Sequence, residues 1–249
     1  MSLSGKVIAI TGGASGLGKA TALRALKDGA AVAVADLSEE ALGELQEAAV
    51  ALPGTLFSLL VDVSDESGVA KFADSTVSQF GRVDGVMVSA GITQGASVLD
   101  MPVESWRRVI EVNLTGAFFT MQRFARKMVD QGDGGSIVTV TSALAFTGQR
   151  DGVNYAASKG GVLSMTKTFA LELGVHRIRF NNIAPGATDT PLLRRTVSAE
   201  FIEQWISRAP LGRLGLPDDH AAVACFLLSE DSEWITGQTF HVNGGSIMP

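Results

Sequence analysis

The chain contains one tyrosine, Tyr155, and four residues beyond it stands Lys159, in the run NYAASKGG. In a helix, positions i and i+4 stack on one face, so this spacing sets a phenol beside an ammonium. A free phenol has a pKa near ~10 and exchanges protons poorly at neutral pH. A neighbouring cation favours the phenolate and brings the group toward a useful range. The pair is therefore a candidate for general acid–base chemistry.

A second constellation lies near the start. VIAITGGASGLGKATA carries glycines at 12, 13, 16 and 18, between an apolar run and a helix-like one. Such a turn lets the backbone approach a pyrophosphate closely, while the helix N-terminus offers N–H donors and the positive end of its dipole. Gly12, Ser15, Gly16, Leu17 and Gly18 are the residues in reach. The spacing is G-x-x-x-G-x-G rather than the G-x-G-x-x-G of the usual dinucleotide fingerprint. Asp36 follows eighteen residues after Gly18, at the end of the second apolar run. A carboxylate there accepts hydrogen bonds from adenosine ribose hydroxyls and repels a 2′-phosphate. Its neighbours Ser15 and Leu37 are uncharged, with Lys19 on the following helix the nearest cation. NAD is expected over NADP. Asp62 and Val63, after the third run, are placed to meet the adenine edge; for Asp62 a capping role ahead of Asp65 is the alternative.

The elements that must position these groups are legible as an alternation. Apolar runs at 7–10, 31–35, 55–61, 85–88, 136–140, 178–183 and 238–242 have strand length. They are continuous rather than alternating, as suits parallel strands covered on both faces. Helix-like segments at 16–28, 38–51, 65–79, 102–129, 152–173, 191–207 and 217–228 separate them. Pro102, Pro191 and Pro217 stand where a first-turn proline belongs. This alternation predicts right-handed βαβ units, one doubly wound seven-stranded parallel sheet of Rossmann type, and one domain spanning 1–249. In such a sheet the loops beyond the strands' carboxyl ends build the site. Gly12–Gly18, Asp36, Asp62, Ser89–Gly91, Ser142 and the segment from Pro185 to Thr190 all fall there.

Composition limits the alternatives. Of 249 residues, 46% are hydrophobic and only 18% charged, so part of the surface is expected to be buried between subunits. The net charge of −6 is spread without a basic cluster, which speaks against nucleic acid and anionic membranes as partners. Cys225 is the single cysteine, as in a reducing compartment, and the apolar N-terminal stretch is too short for a secretion signal. A cytoplasmic protein without membrane spans is expected. His176, His220 and His241 are widely spaced without a cysteine nearby, so no metal site is expected and structural roles are assigned to them. No G-x-S-x-G elbow surrounds Ser142, which disfavours serine hydrolysis.

Taken together these motifs resemble the short-chain dehydrogenase/reductase family over the full length of the chain. TGGASGLG at 11–18 matches the family's T-G-x-x-x-G-x-G turn. Asn113 in VNLTG, Ser142 in VTVTSALA and YAASK at 155–159 match its Asn-Ser-Tyr-Lys tetrad. APGATDT at 184–190 resembles the segment that packs on the nicotinamide, and ITGQTFHVNGG at 235–245 the closing strand. The resemblance implies hydride exchange with nicotinamide C4, Tyr155 as acid/base, and Lys159 lowering its pKa and bonding the nicotinamide ribose. It implies Ser142 on the substrate oxygen and Asn113 holding a water beyond Lys159. Ala90 and Gly91 after strand four, and Pro185, Gly186 and Thr188 or Thr190, would contact the cofactor. Gln94, Leu144, Gln149, Arg150 and Leu192 would line the substrate pocket with Ser142 and Tyr155, the 186–205 segment acting as a lid. Arg150 could equally serve a subunit contact. Two departures stand out: Val88-Ser89-Ala90-Gly91 replaces the family's N-N-A-G, and Asn243 replaces a common aspartate. Small residues after Tyr155, low charge and family habit point to a homotetramer, with a dimer as the alternative.

The expected activity is NAD-dependent interconversion of a secondary alcohol, polar or sugar-like, and its ketone. The alternative within the same chemistry is a 3-oxoacyl-(acyl-carrier-protein) reductase using NADPH. A sugar-nucleotide epimerase would add a C-terminal domain, whereas this chain stops just after its last strand. A non-catalytic NAD sensor would not need the tetrad.

Overall fold

The computed structural model describes residues 2–248; Met1 and Pro249, the ends of the predicted domain, lie outside the described residues. Among these, seven parallel strands form one sheet. They are β1 (Val7–Thr11), β2 (Ala31–Asp36), β3 (Thr55–Leu60), β4 (Gly85–Val88), β5 (Gly135–Val140), β6 (Ile178–Pro185) and β7 (Thr239–Val242), in the order β3-β2-β1-β4-β5-β6-β7. Along the central strands β1, β2, β4 and β5 side chains alternate between two cores that are both apolar, which is why these sequence runs do not alternate in polarity. Val86 and Val88 join Phe72, Phe124 and Phe180 on one face, while Met87 joins Leu26, Cys225 and Leu227 on the other. Phe72 and Phe124 meet edge to face at 5.5 Å.

Helices α1 (Gly16–Lys27), α2 (Glu39–Ala49) and α3 (Glu66–Phe80) follow the first three strands. The helix expected over 102–129 is broken into α4 (Val103–Ile110) and α5 (Gly116–Gln131), joined by a π-helical turn, Glu111–Thr115. Gly116 permits the break: a Cβ there would lie 2.9 Å from the Val63 carbonyl oxygen, so the start of α5 sits directly on the loop after β3. The wider turn re-aims Asn113 inward, as π-turns at functional sites commonly do. Pro102 occupies the N-cap of α4 instead of its first turn, whereas Pro191 and Pro217 are first-turn residues.

A short α6 (Leu144–Thr147) was not foreseen, and the long α7 (Val153–Leu173) follows it. The segment expected as one helix over 191–207 is two, α8 (Pro191–Thr196) and α9 (Ala199–Arg208). Val197 is extended, and the Ser198 hydroxyl accepts from the Phe201 N–H to cap a new helix, the competition by which serine interrupts helices. Helix α10 (Pro217–Leu228) packs on α1. No helix among the described residues is long and apolar enough to cross a membrane.

Candidate active site

The direction of chain progression reverses between the neighbours β1 and β4, so the loops leaving these two strands part and open a crevice. Gly12, at φ +65°, closes its floor: a Cβ there would lie 2.6 Å from the Ala90 Cα. Gly18 is equally constrained, since its Cβ would fall 2.1 Å from the Gly12 carbonyl oxygen; any side chain would push α1 off the turn. At the N-terminus of α1, Ser15 is extended but makes no side-chain cap, and the first turn carries no acidic residue. By contrast α2, α3, α8 and α9 are each capped by a Ser, Asp or Thr side chain. The uncapped N–H groups from Gly16 to Gly18 therefore suit the phosphates of a dinucleotide.

Asp36 is partly exposed beyond β2. Its Oδ2 accepts the Ala14 N–H at 3.0 Å, and Oδ1 accepts those of Leu37 at 2.8 Å and Ser38 at 3.2 Å. The carboxylate thus braces the glycine turn. Lys19 is ion-paired with Glu44 at 3.2 Å. Asp62 takes neither of its two expected roles alone. It accepts Ser64 N–H at 2.9 Å and Ser64 O–H at 2.6 Å, and pairs with Arg108 at 3.1 Å. Its acidity ends up enhanced because these bonds outweigh partial burial. Asp65, not Asp62, caps α3. Val63 is buried against Gly116.

Helix α7 carries Tyr155 and Lys159 on one face, as their spacing predicts. It is tied to β5 where the Thr141 hydroxyl donates to the Lys159 carbonyl at 2.7 Å. The Lys159 ammonium, almost fully buried, donates to the Val140 carbonyl at 2.8 Å and lies 5.8 Å from the Tyr155 ring centroid. Desolvation brings its pKa down to about 8. The Tyr155 ring keeps some surface open, but its hydroxyl is enclosed. Burial pushes the phenol above its ordinary pKa, opposed by a hydrogen bond with the Ser142 side chain. The sequence reading expected a phenol acidified by Lys159; in the protein alone, burial outweighs the Ser142 hydrogen bond and the phenol lies above its ordinary value. Ser142, buried at the end of β5, also accepts the Leu144 N–H at 3.1 Å.

The Asn113 side chain is engaged by the protein itself. Its Oδ1 accepts the Ile92 N–H at 2.8 Å, and its Nδ2 donates to the Ile92 carbonyl at 2.9 Å and to Ser158 Oγ at 3.1 Å. The carboxamide thus staples the loop after β4 to α7. Gly91 lies between the two groups, a Cβ there meeting both Asn113 Oδ1 and Lys159 Nζ at 3.4 Å.

Pro185 and Gly186 leave β6 beside this cluster, and the Pro185 carbonyl accepts the Ala143 N–H at 3.0 Å. Of the two threonines considered for the carboxamide, Thr188 turns its hydroxyl inward, onto the Gly186 carbonyl at 2.9 Å and His220 Nε2 at 2.8 Å. That hydroxyl is committed to the protein interior. Thr190 caps α8, and its methyl stands opposite Gly16, joining this segment to the phosphate turn. On the substrate side, Leu144 and Leu192 are half-buried, while Gln94, Gln149 and Arg150 are exposed. Gln149 folds back over Gly152, and Arg150 makes no ion pair among the described residues. The Gln94 carbonyl is drawn to the catalytic helix by Asn154 Nδ2 at 2.9 Å, while Asn154 Oδ1 accepts the Tyr155 N–H at 2.8 Å. Asn154 and Arg108 escaped the sequence reading, and His220 entered it only as a structural histidine. Only Asn154, adjacent to Tyr155, carried a positional hint.

A nucleotide crevice at a topological switch point, with a buried phenol, serine and lysine beside it, defines a nicotinamide-dependent dehydrogenase. The comparisons agree. A family model described as enoyl-(acyl carrier protein) reductase matches residues 12–246. 3-Oxoacyl-(acyl-carrier-protein) reductase FabG of Thermotoga maritima is 41% identical over 248 residues, covering 100% of both chains. L-rhamnose 1-dehydrogenase (NAD(P)(+)) of Azotobacter vinelandii is 36% identical, with 98% of each chain covered. The crystal structure of a short-chain type dehydrogenase/reductase from Mycobacterium marinum superposes with a TM-score of 0.95 at 35% identity, over 100% of this chain and 98% of that one. The chain belongs to the short-chain dehydrogenase/reductase family and is an oxidoreductase acting on CH–OH groups with a nicotinamide dinucleotide.

Proposed function

We propose that this protein is an NAD-dependent dehydrogenase of a secondary alcohol, working as one catalytic domain and interconverting that alcohol with its ketone. The observation carrying the choice of NAD is Asp36. A carboxylate held by three backbone N–H groups at the adenosine end, with Leu37 exposed beside it and Lys19 neutralised by Glu44, favours a free 2′-hydroxyl over a phosphate. The bound cofactor supplies or accepts the hydride at nicotinamide C4. Within the protein, Ser142 orients the substrate oxygen and steadies charge that develops there. Tyr155 gives or takes the proton on that oxygen, and Lys159 provides the adjacent charge. Asn113 fixes the loop carrying Ala90 and Gly91, while Leu144, Leu192, Gln94, Gln149 and Arg150 frame the pocket.

A second reading is favoured by the 41% identity to FabG: reduction of a 3-oxoacyl thioester. One screen separates the two. Secondary alcohols, polyols, sugars and 3-hydroxyacyl thioesters are offered with NAD and NADP, and NAD(P)H absorbance is followed. Turnover of simple or sugar alcohols with NAD is expected; activity confined to acyl thioesters with NADP would replace this reading by the second.

A homotetramer accompanies this proposal. An open groove of about 580 Å³ between α5 and α7, lined in part by Phe118, Val129, Met165, Phe169 and Leu173, offers apolar surface for a second copy. Sedimentation is expected to give the mass of four chains, and Phe169→Glu to lower it; a monomeric parent protein would refute the assembly.

A further inference from the structure

The segment after β6 leaves the sheet at Gly186, carries α8 and α9, and returns at Gly215. Its two feet are tied together. Gly215 N–H donates to the Ala187 carbonyl at 2.9 Å, and Asp189 N–H donates to the Gly215 carbonyl at 2.8 Å, a parallel bridge centred on Thr188. In such a bridge the central residue's own N–H and C=O point to the opposite side. The peptide groups of Thr188 therefore face away from Gly215. Nothing in the backbone pairing fixes how far they project, so the Thr188 side chain must be anchored from beneath.

That anchor is His220, fully buried on α10. The Thr188 hydroxyl has one proton, directed at the Gly186 carbonyl, so toward His220 its oxygen is an acceptor. Nε2 is then the protonated nitrogen, and Nδ1 keeps a lone pair. Nδ1 is buried without a partner among the described residues, a position that suits a bare lone pair better than a second N–H. Burial holds the imidazole pKa down to about 4, so the ring stays neutral at working pH. Space is filled to the limit: a Cβ on Gly215 would lie 3.2 Å from both His220 Nε2 and Thr188 Oγ1.

We propose that His220 is a positioning residue for the nicotinamide half of the site: its Nε2–H holds the Thr188 hydroxyl inward and thereby presents the Thr188 peptide N–H and C=O to the carboxamide. This inference rests on the dinucleotide reading above.

The test compares two ligands by calorimetry: NADH, and ADP-ribose, which lacks the nicotinamide. His220→Leu is expected to weaken NADH about tenfold, the scale of one unsatisfied buried hydrogen-bonding group, with ADP-ribose affinity unchanged. His220→Gln, whose amide nitrogen reaches the Nε2 position, should restore NADH affinity, while His220→Asn, which reaches only Nδ1, should not. Thr188→Val approaches the same bond from the other side and should match His220→Leu. Equal weakening of both ligands would reveal a merely structural histidine, and unchanged NADH binding in His220→Leu and Thr188→Val would also overturn the assignment. If the parent protein binds ADP-ribose no better than free ribose, the dinucleotide reading falls, and this inference with it.

Discussion

Tyr155→Phe lowers turnover by about 10²–10⁴-fold, the range for loss of a general acid–base group, while NADH binding stays close to that of the parent protein. The substitution removes one oxygen and leaves the ring volume, so the helix, Ser158 and the stapled loop around Asn113 need not move. What it deletes is the hydroxyl bonded to Ser142, on the ring whose centroid lies 5.8 Å from the Lys159 ammonium. Neither the Asn113 carboxamide nor the Thr188 hydroxyl is free to take over. Asn113 is occupied by Ile92 and Ser158, and the Thr188 hydroxyl by Gly186 and His220. Steady-state kinetics with NADH titrations would check it; turnover near the parent level would remove Tyr155 from the chemistry.

The pH profile follows from the same pair. Ketone reduction needs a protonated phenol at the start and a cation beside it as the phenolate forms. Burial raises the Tyr155 pKa and lowers that of Lys159 to about 8, so the lysine loses its proton first as pH climbs. For reduction, kcat/KM should be level near neutrality and fall above about pH 8, with the two groups titrating as a coupled pair. A rate rising through that range would reverse the assigned roles.

The fold was legible because its signal is local and redundant. The apolar runs of the central strands report burial on two faces, and Gly12 and Gly18 sit at a turn whose close backbone approach needs them. Element ends moved by a residue or two, as at β3 and β7. The broken helices at Glu111–Thr115 and at Ser198 were not legible: the first depends on a tertiary partner, Val63 receiving Gly116, and the second on a serine choosing a local cap over helix continuation, a choice that the apolar pattern does not record. The site divides the same way. Tyr155 and Lys159 could be paired from spacing alone, since a helix fixes their relation. The inward turn of Thr188, the bracing role of Asn113 and the Arg108 clamp on Asp62 could not, because each partner is distant in the chain and of a common residue type. The direction of the Tyr155 shift was misjudged for a related reason: residue spacing shows a neighbouring charge but not the loss of water around it.

Asp36→Ala shifts the NADH-to-NADPH preference toward NADPH by about 10- to 100-fold, the equivalent of the ~1.5–3 kcal/mol of hydrogen bonding to a charged group. Two effects add. The alanine cannot accept from the ribose hydroxyls, and the repulsion that disfavours a 2′-phosphate is gone. A third effect acts on both cofactors: without the carboxylate, the N–H groups of Ala14, Leu37 and Ser38 lose their acceptor, and the phosphate turn loosens. Absolute affinity should therefore fall for NADH and change little or fall slightly for NADPH, so the ratio is the quantity that isolates charge selection. Asp36→Asn separates the contributions further, because its amide oxygen can keep the Ala14 bond while the charge is lost. If Asp36→Asn moves the ratio most of the way, repulsion dominates; if only Asp36→Ala moves it, ribose bonding does. An unchanged ratio in both variants would place the adenosine ribose away from Asp36 and leave the preference for NAD without a physical basis.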